Sequence, residues 1–361
     1  MKHYSHIDLK NFVTEIFQKI GCNEEDANQA ADVLINADLR GVDSHGVARL
    51  AGYIRLYEKK RLNPTARITV THETPSTAVM DGDLGLGLVI GPKAMEIAIA
   101  KAKNVGTGWV AVNNSNHYGI AGYHAMMALP EDCIGISLTN ASPLVSPTFS
   151  KERLLGTNPI SIAIPALEEP PFVLDMATTT AANGKLEVLQ RKGENAPEGW
   201  LQDKQGAITT DAKGLMKGGS MRPLGGSRAQ GSHKGYALGA VVDILSAVLS
   251  GANYGPWVPP FVAFIDPVKD PVGKGLGHFF GAMRVDAFRD AIEFKQNMDT
   301  WIRRFRNSET VNPDGKVLIP GDPEREMTQL REKEGIPLLD KVIGDLQELG
   351  ERLSVNFPPE R

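Results

Sequence analysis

Apolar residues recur every three or four positions through the first sixty residues, a spacing that predicts amphipathic helices. The first two helices are predicted at about 7–21 and 24–38, with Asn23 as the N-cap of the second. A third is predicted after the segment 40–49, capped by Asp43 or Ser44. The sequence therefore predicts a small helical unit at the start of the chain.

From residue 62 the pattern changes to short apolar runs separated by polar turns and further helices. Strands are predicted at 67–70, 77–80, 109–112, 134–139, 160–165, 172–175 and 275–283. Helices are predicted at about 91–104, 120–129, 236–249, 285–304, 324–334 and 337–354. Strands that alternate with helices indicate the α/β class, a sheet covered by helical layers.

Composition narrows the range of functions. The 361 residues carry a net charge of −4, which argues against a nucleic-acid partner. Cys22 and Cys133 form no CxxC motif, as expected for a reducing cytoplasm. We predict no signal peptide, since the N-terminus is polar, and no membrane span, since the longest apolar run is short and contains Asp243. No histidine or cysteine cluster has metal-ligand spacing, so no metal is predicted.

The segment 40–49 concentrates reactive side chains: two arginines, an acid, a hydroxyl and a histidine. If a helix begins at Asp43 or Ser44, His45 and Arg49 are four positions apart and share one face. An imidazole beside a fixed cation suits a small carboxylic acid whose reacting oxygen lies next to its carboxylate. The alternative is a histidine and an arginine on a solvated helix face.

Further polar clusters follow predicted strands or open predicted helices. His117 follows the strand 109–112, and Asp175 ends the strand 172–175. Ser232 and Lys234 open a helix after a glycine-rich run, which predicts an anion site. The glycines at 85, 87 and 91 do not match the Rossmann fingerprint, because the spacing is one residue too long and no acid follows near 110–112.

Five motifs in order carry a resemblance over nearly the whole chain. They are Arg-Gly-Val-Asp-Ser-His-Gly (40–46), Ser-Asn-His-Tyr-Gly (115–119), Leu-Gly-Thr-Asn-Pro (155–159), Asp-Met-Ala-Thr (175–178) and His-Lys-Gly (233–235). The chain resembles the malate/L-lactate dehydrogenase family that lacks the Rossmann fingerprint, whose relatives include ureidoglycolate, sulfolactate and diketogulonate enzymes.

The resemblance implies a fold and a cofactor. We expect a non-Rossmann nicotinamide-binding α/β sheet domain at 76–290. We expect a helical domain built from the N-terminal part, 1–75, and a C-terminal helical segment, 291–361, that packs back on it. NAD or NADP is the implied cofactor, and a homodimer is the implied assembly.

The resemblance also implies residue roles. His45 is the expected proton donor and acceptor, with Ser44 beside it, and Arg49 is expected to bind the substrate carboxylate. Residues expected at the substrate or as a second candidate acid/base are Thr157, Lys185 and His117. Residues expected to hold the cofactor are His117, Tyr118, Gly119, Ile120, Ala121, Asp175, Met176, Ala177, His233, Lys234, Pro320, Gly321 and Asp322.

The predicted activity is interconversion of a small 2-hydroxy acid, malate-like or lactate-like, and its 2-oxo acid. A cyclic-imine carboxylate reductase is one alternative, but Lys185 stands where those enzymes are expected to have an aspartate relay. A hydrolase or lyase that uses His45 or His117 as a base is another. A binding protein for an organic anion is the third.

Overall fold

The computed structural model describes residues 1–263 and 265–361, with the backbone alone for Glu187 and Arg191. Its α-helices are α1 (His6–Lys19), α2 (Glu24–Leu39), α3 (Leu50–Glu58), α4 (Gly87–Val105), α5 (Ala121–Met126), α6 (Asn183–Lys192), α7 (Ser232–Asp243), α8 (Ala291–Arg306), α9 (Asp322–Glu334) and α10 (Asp340–Leu353). Its strands are β1 (Lys2–Tyr4), β2 (Thr69–Glu73), β3 (Thr77–Asp81), β4 (Thr107–Ser115), β5 (Cys133–Thr139), β6 (Ile160–Ile164), β7 (Phe172–Met176), β8 (Leu201–Gln202), β9 (Ile208–Thr209), β10 (Ser220–Met221), β11 (Leu276–Arg284) and β12 (Ile336–Leu338).

A seven-stranded sheet forms the centre of the molecule, in the order β2-β3-β4-β11-β5-β6-β7. β3 and β4 are parallel, because α4 crosses between them, and the other neighbouring pairs are antiparallel. β11 arrives late in the chain but lies between β4 and β5. The α/β class is confirmed, and the antiparallel pairs place successive strand ends at opposite edges of the sheet.

The helical unit is built from both ends of the chain. α1, α2 and α3 bury one apolar cluster together with α10 and β12. β1 pairs with β12, so that Tyr4 lies opposite Ile336. The predicted cap of α2 is confirmed, since the Asn23 side chain accepts the Asp26 N–H at 2.8 Å. The stripe of period 3.6 therefore located these helices well.

The last part of the chain does not pack on the helical unit alone. Lys295 of α8 pairs with Asp132, which precedes β5, at 2.8 Å. Asp299 of α8 is buried and accepts three backbone N–H groups, those of residues 167–169. α8 thus rests on the loop between β6 and β7, while α10 packs on α1 and α3. The domain limits at residues 75 and 290 stay a prediction.

Several predicted elements differ from the structure in their limits; α4 begins at Gly87 rather than near 91, and α7 begins at Ser232 rather than 236. The strand expected at 67–70 lies at Thr69–Glu73. The helix expected from 285 begins at Ala291, because a 3₁₀ turn comes first and the Asp290 side chain then caps the helix by accepting the Glu293 N–H. Among the described residues, no helix is both long and apolar enough to cross a membrane.

Candidate active site

His45 and Arg49 lie in two short 3₁₀ turns, Asp43–His45 and Val47–Arg49, which we call the histidine turn together with the Gly46 between them. The prediction that a helix begins at Asp43 or Ser44 is wrong, because α3 begins at Leu50. The helix is interrupted by a tertiary contact between Gly46 and Asp38. A Cβ on Gly46 would lie 1.9 Å from the Asp38 carboxylate, which also accepts the Val47 N–H at 2.8 Å. This contact holds Gly46 at φ −88° and ψ −148°, outside the helical region, so the two turns do not merge into a helix.

Asp38 of α2 and Arg331 of α9 hold the histidine turn in place. Burial raises the pKa of Asp38 to about 8, against the opposing pull of the Val47 N–H. Arg331 of α9 is also buried, and its guanidinium donates to the Asp38 carbonyl and pairs with the Asp43 carboxylate. The turn is therefore tied to α2 through Val47 and to α9 through Asp43, and Arg331 also joins α9 to α2.

His45 is half-buried, with its Nδ1 2.9 Å from the Ser44 hydroxyl. Burial, and next the positive charge of Arg49, lower the pKa of His45 to about 4. The Arg49 Nε donates to the Ser44 carbonyl, which holds the guanidinium beside the ring. At neutral pH His45 is consequently an uncharged imidazole next to a fixed cation.

His117 faces His45, with the ring centroids 5.5 Å apart and the planes 27° from parallel. Its Nδ1 accepts the Gly119 N–H at 3.3 Å and lies 2.6 Å from the Tyr53 hydroxyl. Because a backbone N–H can only donate, Nδ1 is an acceptor and the ring proton is on Nε2. Burial lowers the pKa of His117 well below its ordinary value, and His45 and Arg49 lower it further.

Phe261 closes this end of the site. Its ring lies 4.8 Å from the His117 ring and 5.1 Å from the Tyr53 ring, centroid to centroid. Its backbone N–H donates to the Ser142 hydroxyl at 3.0 Å. Arg61 holds the same loop by donating to the carbonyls of Pro260 and Ile265. The Phe261 ring therefore covers the His117 imidazole on one side.

One cavity of about 370 Å³ runs past both histidines. The predicted site residues that line it are Ser44, His45, Arg49, His117, Gly119, Ile120, Ala121, Thr157, Asp175, Met176 and Ala177. Residues from four of the five sequence motifs therefore meet around one volume. Such a cavity can hold an organic acid at Arg49 and a larger ligand beyond it.

The comparisons with known proteins agree with this arrangement. A model of the malate/L-lactate dehydrogenase family matches residues 4–347. The chain belongs to the malate/L-lactate dehydrogenase family. Malate dehydrogenase of Pyrococcus abyssi is 45% identical over 96% of this chain and 94% of its own. L-sulfolactate dehydrogenase of Methanocaldococcus jannaschii is 40% identical, over 96% of each chain.

A solved structure extends the likeness to the fold. The crystal structure of malate dehydrogenase from Entamoeba histolytica superposes with a TM-score of 0.92, at 38% identity and 99% coverage of both chains. The predicted family and enzyme class are thus confirmed, and this family member is an oxidoreductase that acts on 2-hydroxy acids. Dehydrogenases of the family use a nicotinamide cofactor.

Several residues predicted for ligand binding in this dehydrogenase lie outside the cavity lining. Tyr118 is fully buried, with its hydroxyl on Ser137 and its ring stacked on His278. Lys185 is exposed at the start of α6, although its neighbour Gly184 touches the Ser44 side chain. Their roles stay predictions.

The two remaining predicted segments of this family member also lie outside the lining. His233 and Lys234 open α7, and the His233 ring lies 2.9 Å from the Arg228 guanidinium. In the 320–322 loop, the Pro320 carbonyl accepts the Val173 N–H, and the Asp322 carboxylate pairs with Arg306 and Arg325. Asp322 is thus occupied within the protein. Glu324, two residues later, does line the cavity.

Sequence reasoning missed other residues of this site. Tyr53 falls in the apolar stripe of α3, so the local pattern assigns it to the core, and Phe261 lies in an irregular loop with no pattern. Arg40 belongs to the reactive segment but carried no predicted role, although it lines the cavity. In the described part of the chain, no group of three histidine, cysteine or acidic residues could hold a metal ion.

Proposed function

We propose that this dehydrogenase interconverts a small 2-hydroxy acid of the malate or sulfolactate type and its 2-oxo acid, with NAD or NADP. The observation that carries this proposal is the pairing of an uncharged His45 with the Arg49 cation in one cavity. An imidazole of this kind takes the hydroxyl proton while the arginine holds the neighbouring carboxylate.

The residues beyond the histidines fit a nicotinamide nucleoside. Ile120, Ala121, Met176 and Ala177 give the cavity an apolar wall for a planar ring. Asp175 stands at this wall and accepts the Gly122 N–H at 2.7 Å, so the carboxylate is fixed where it can bind a ribose hydroxyl. When bound, the nicotinamide accepts or supplies the hydride.

The protein's own groups supply the proton transfer. In the oxidation direction His45 receives the hydroxyl proton through Nε2, since Ser44 occupies Nδ1. The carboxylate of a bound acid offsets the Arg49 charge and so raises the proton affinity of the ring. His117 is the alternative proton donor in the reduction direction, since the hydrogen bonds of its Nδ1 with Gly119 and Tyr53 leave an Nε2–H that can donate to the substrate oxygen.

The test is a screen of 2-hydroxy and 2-oxo acids with both cofactors, followed at 340 nm. These acids differ in the group distal to the reacting carbon: malate has a carboxylate there, sulfolactate has a sulfonate, and lactate has no charge. We expect turnover of at least one dianionic acid. A hydrolase, a lyase or an anion-binding protein would give no absorbance change with any acid and no change in NADH fluorescence. Turnover of a cyclic imine carboxylate alone would favour the reductase alternative.

The homodimer is part of the proposal and rests on one exposed face. The apolar residues on this face, each more than one third exposed, are Tyr236, Leu238, Val241, Ile244, Val248 and Leu249. Water contact over so many neighbouring apolar side chains is unfavourable, so we propose that a second copy covers this face. Analytical ultracentrifugation of Ile244→Asp against the parent tests it, with a monomer expected for the variant. We propose the cytoplasm as its location, where Cys22 and Cys133 stay reduced.

A further inference from the structure

Arg40 carries a buried charge with no ion-pair or hydrogen-bond partner among the residues that the structure describes. It ends α2, is 9% exposed, and lines the same cavity as His45. Within residues 1–263 and 265–361, the guanidinium forms no ion pair and donates no hydrogen bond to a described side chain or backbone group. Burying an arginine without a hydrogen-bond partner is costly, because its five N–H donors lose water and gain no acceptor in return.

Arg40 interacts electrostatically with two acids that also line the cavity and with Arg325, which does not. Glu324 and then Asp175 oppose the effect of burial, which lowers the pKa of Arg40. His45, His117 and Tyr53 respond instead to Arg49. The cavity therefore has two cationic ends: Arg49 at the histidines, and Arg40 at the two acids.

The Arg40 end combines one forked donor with two acceptors. Asp175 uses one carboxylate oxygen for the Gly122 N–H, and Glu324 has no side-chain partner among the described residues. A donor for anionic oxygens beside acceptors for hydroxyl groups matches a sugar phosphate. The distal acid group of a dianionic substrate has the same anionic oxygens but no hydroxyl groups for the two acids.

We propose that Arg40 binds an anionic oxygen group of the ligand at the acidic end of the cavity, and that the phosphate of the nicotinamide nucleotide is the group it receives. Glu324 and Asp175 bind the ribose hydroxyls of the same ligand. This inference rests on the proposed nicotinamide-dependent function. It adds Arg40 and Glu324 to the residues that the sequence motifs predict for cofactor binding.

The experiment compares Arg40→Met, which keeps length and loses charge, with Arg55→Met, an exposed arginine on α3 as the matched control. Binding is measured by fluorescence for NADH and for reduced nicotinamide mononucleotide, and by competition for reduced nicotinamide riboside, which has no phosphate. We expect Arg40→Met to weaken both phosphorylated ligands by at least about tenfold and to leave the riboside unchanged. Arg40→Lys should recover part of the loss, since it keeps the charge but not the fork.

A second arm distinguishes the two sources of the anion. The KM of malate and of lactate is measured at saturating cofactor. A rise for malate alone, with nucleotide binding unchanged, would overturn the assignment to phosphate and move Arg40 to the distal carboxylate. Equal losses for nucleotide and riboside, or no loss at all in a folded Arg40→Met, would overturn the role of Arg40 as an anion receptor. A parent protein that neither binds NADH nor oxidises any acid would instead contradict the proposed function itself.

Discussion

The sequence predicts that the histidine turn and the segment 225–235 each begin a helix and bind a ligand. The structure shows two different arrangements. The histidine turn is not the start of a helix, yet its side chains line the cavity. The segment 225–235 does open a helix, α7, but His233 is half-buried beside Arg228 and Lys234 is exposed, both outside the lining. A helix start supplies the local chemistry, but packing from other elements decides whether that chemistry reaches the site.

The packing around the two segments explains the contrast. The histidine turn is held by Asp38 and Arg331, and it packs against Gly184, where an added Cβ would collide with Ser44. α7 has an apolar face that no other described element covers. The first segment is thus complete within one chain, whereas the second is expected to gain neighbours in the proposed dimer.

Replacing one histidine in each segment is the most direct test of whether the two segments differ in catalysis. His45→Ala should lower kcat by about 10²–10⁴-fold, because no group replaces the general base, while NADH still binds. The matched variant His233→Ala should leave kcat within about twofold of the parent, because its ring does not line the cavity. Steady-state rates and NADH fluorescence measure both. Parent-like turnover in His45→Ala would transfer the acid–base role to His117.

The cation of the histidine turn gives the next largest effect. Arg49→Lys should raise the KM for the acid substrate by roughly 10–100-fold, because a lysine cannot form the two parallel hydrogen bonds with a carboxylate. The KM for the cofactor should change little. Equal changes in both constants would count against the role of Arg49 as the carboxylate anchor.

The pH profile tests the charge state of the histidine turn. Burial and Arg49 lower the pKa of His45 to about 4, so its base form persists far below the ordinary value near 6.5. The kcat/KM for oxidation should therefore stay level from pH 8 down to about pH 5 and fall only in more acid buffer. Arg49→Met should move this acid limb partly upward, since burial, the larger cause, remains. A limb near pH 6.5 in the parent would show that the base is not an imidazole whose pKa is lowered by burial and by Arg49.

The smallest effect is expected in the other segment. Lys234→Met should weaken NADH binding by about threefold at low salt and less at high salt, because Lys234 is exposed and its charge is screened. Fluorescence titration at two ionic strengths measures this. A loss greater than about tenfold would mean that the segment 225–235 reaches the cavity in the dimer. The two segments would then not differ in their access to the ligand.

The sequence predicted the residue types of the site better than its geometry. The apolar stripe located α1 and α2 within two residues, because their packing follows a local period. It failed at Gly46, because the interruption comes from Asp38 in another element. The contact of the Tyr53 hydroxyl could not be predicted for the same reason, since its partner His117 lies 64 positions away.

The strand order could not be predicted from local pattern at all. β11 reads as one more apolar run near residue 280, and nothing in it indicates a place between β4 and β5. Phe261 likewise acquires its place beside His117 through Ser142 and Arg61, which hold its loop from distant parts of the chain. Long-range contacts, rather than residue identity, set these parts of the site.

The pairing of Arg331 with Asp43 joins residues separated by 288 positions. During synthesis on a ribosome, the histidine turn therefore emerges long before the arginine that fixes it. Contacts of such long range form late, after the intervening chain has folded. A nascent chain released before residue 331 carries His45, Ser44 and Arg49 but lacks the contact that orders them. Products that end before α9 are thus expected to be inactive, because they lack this contact.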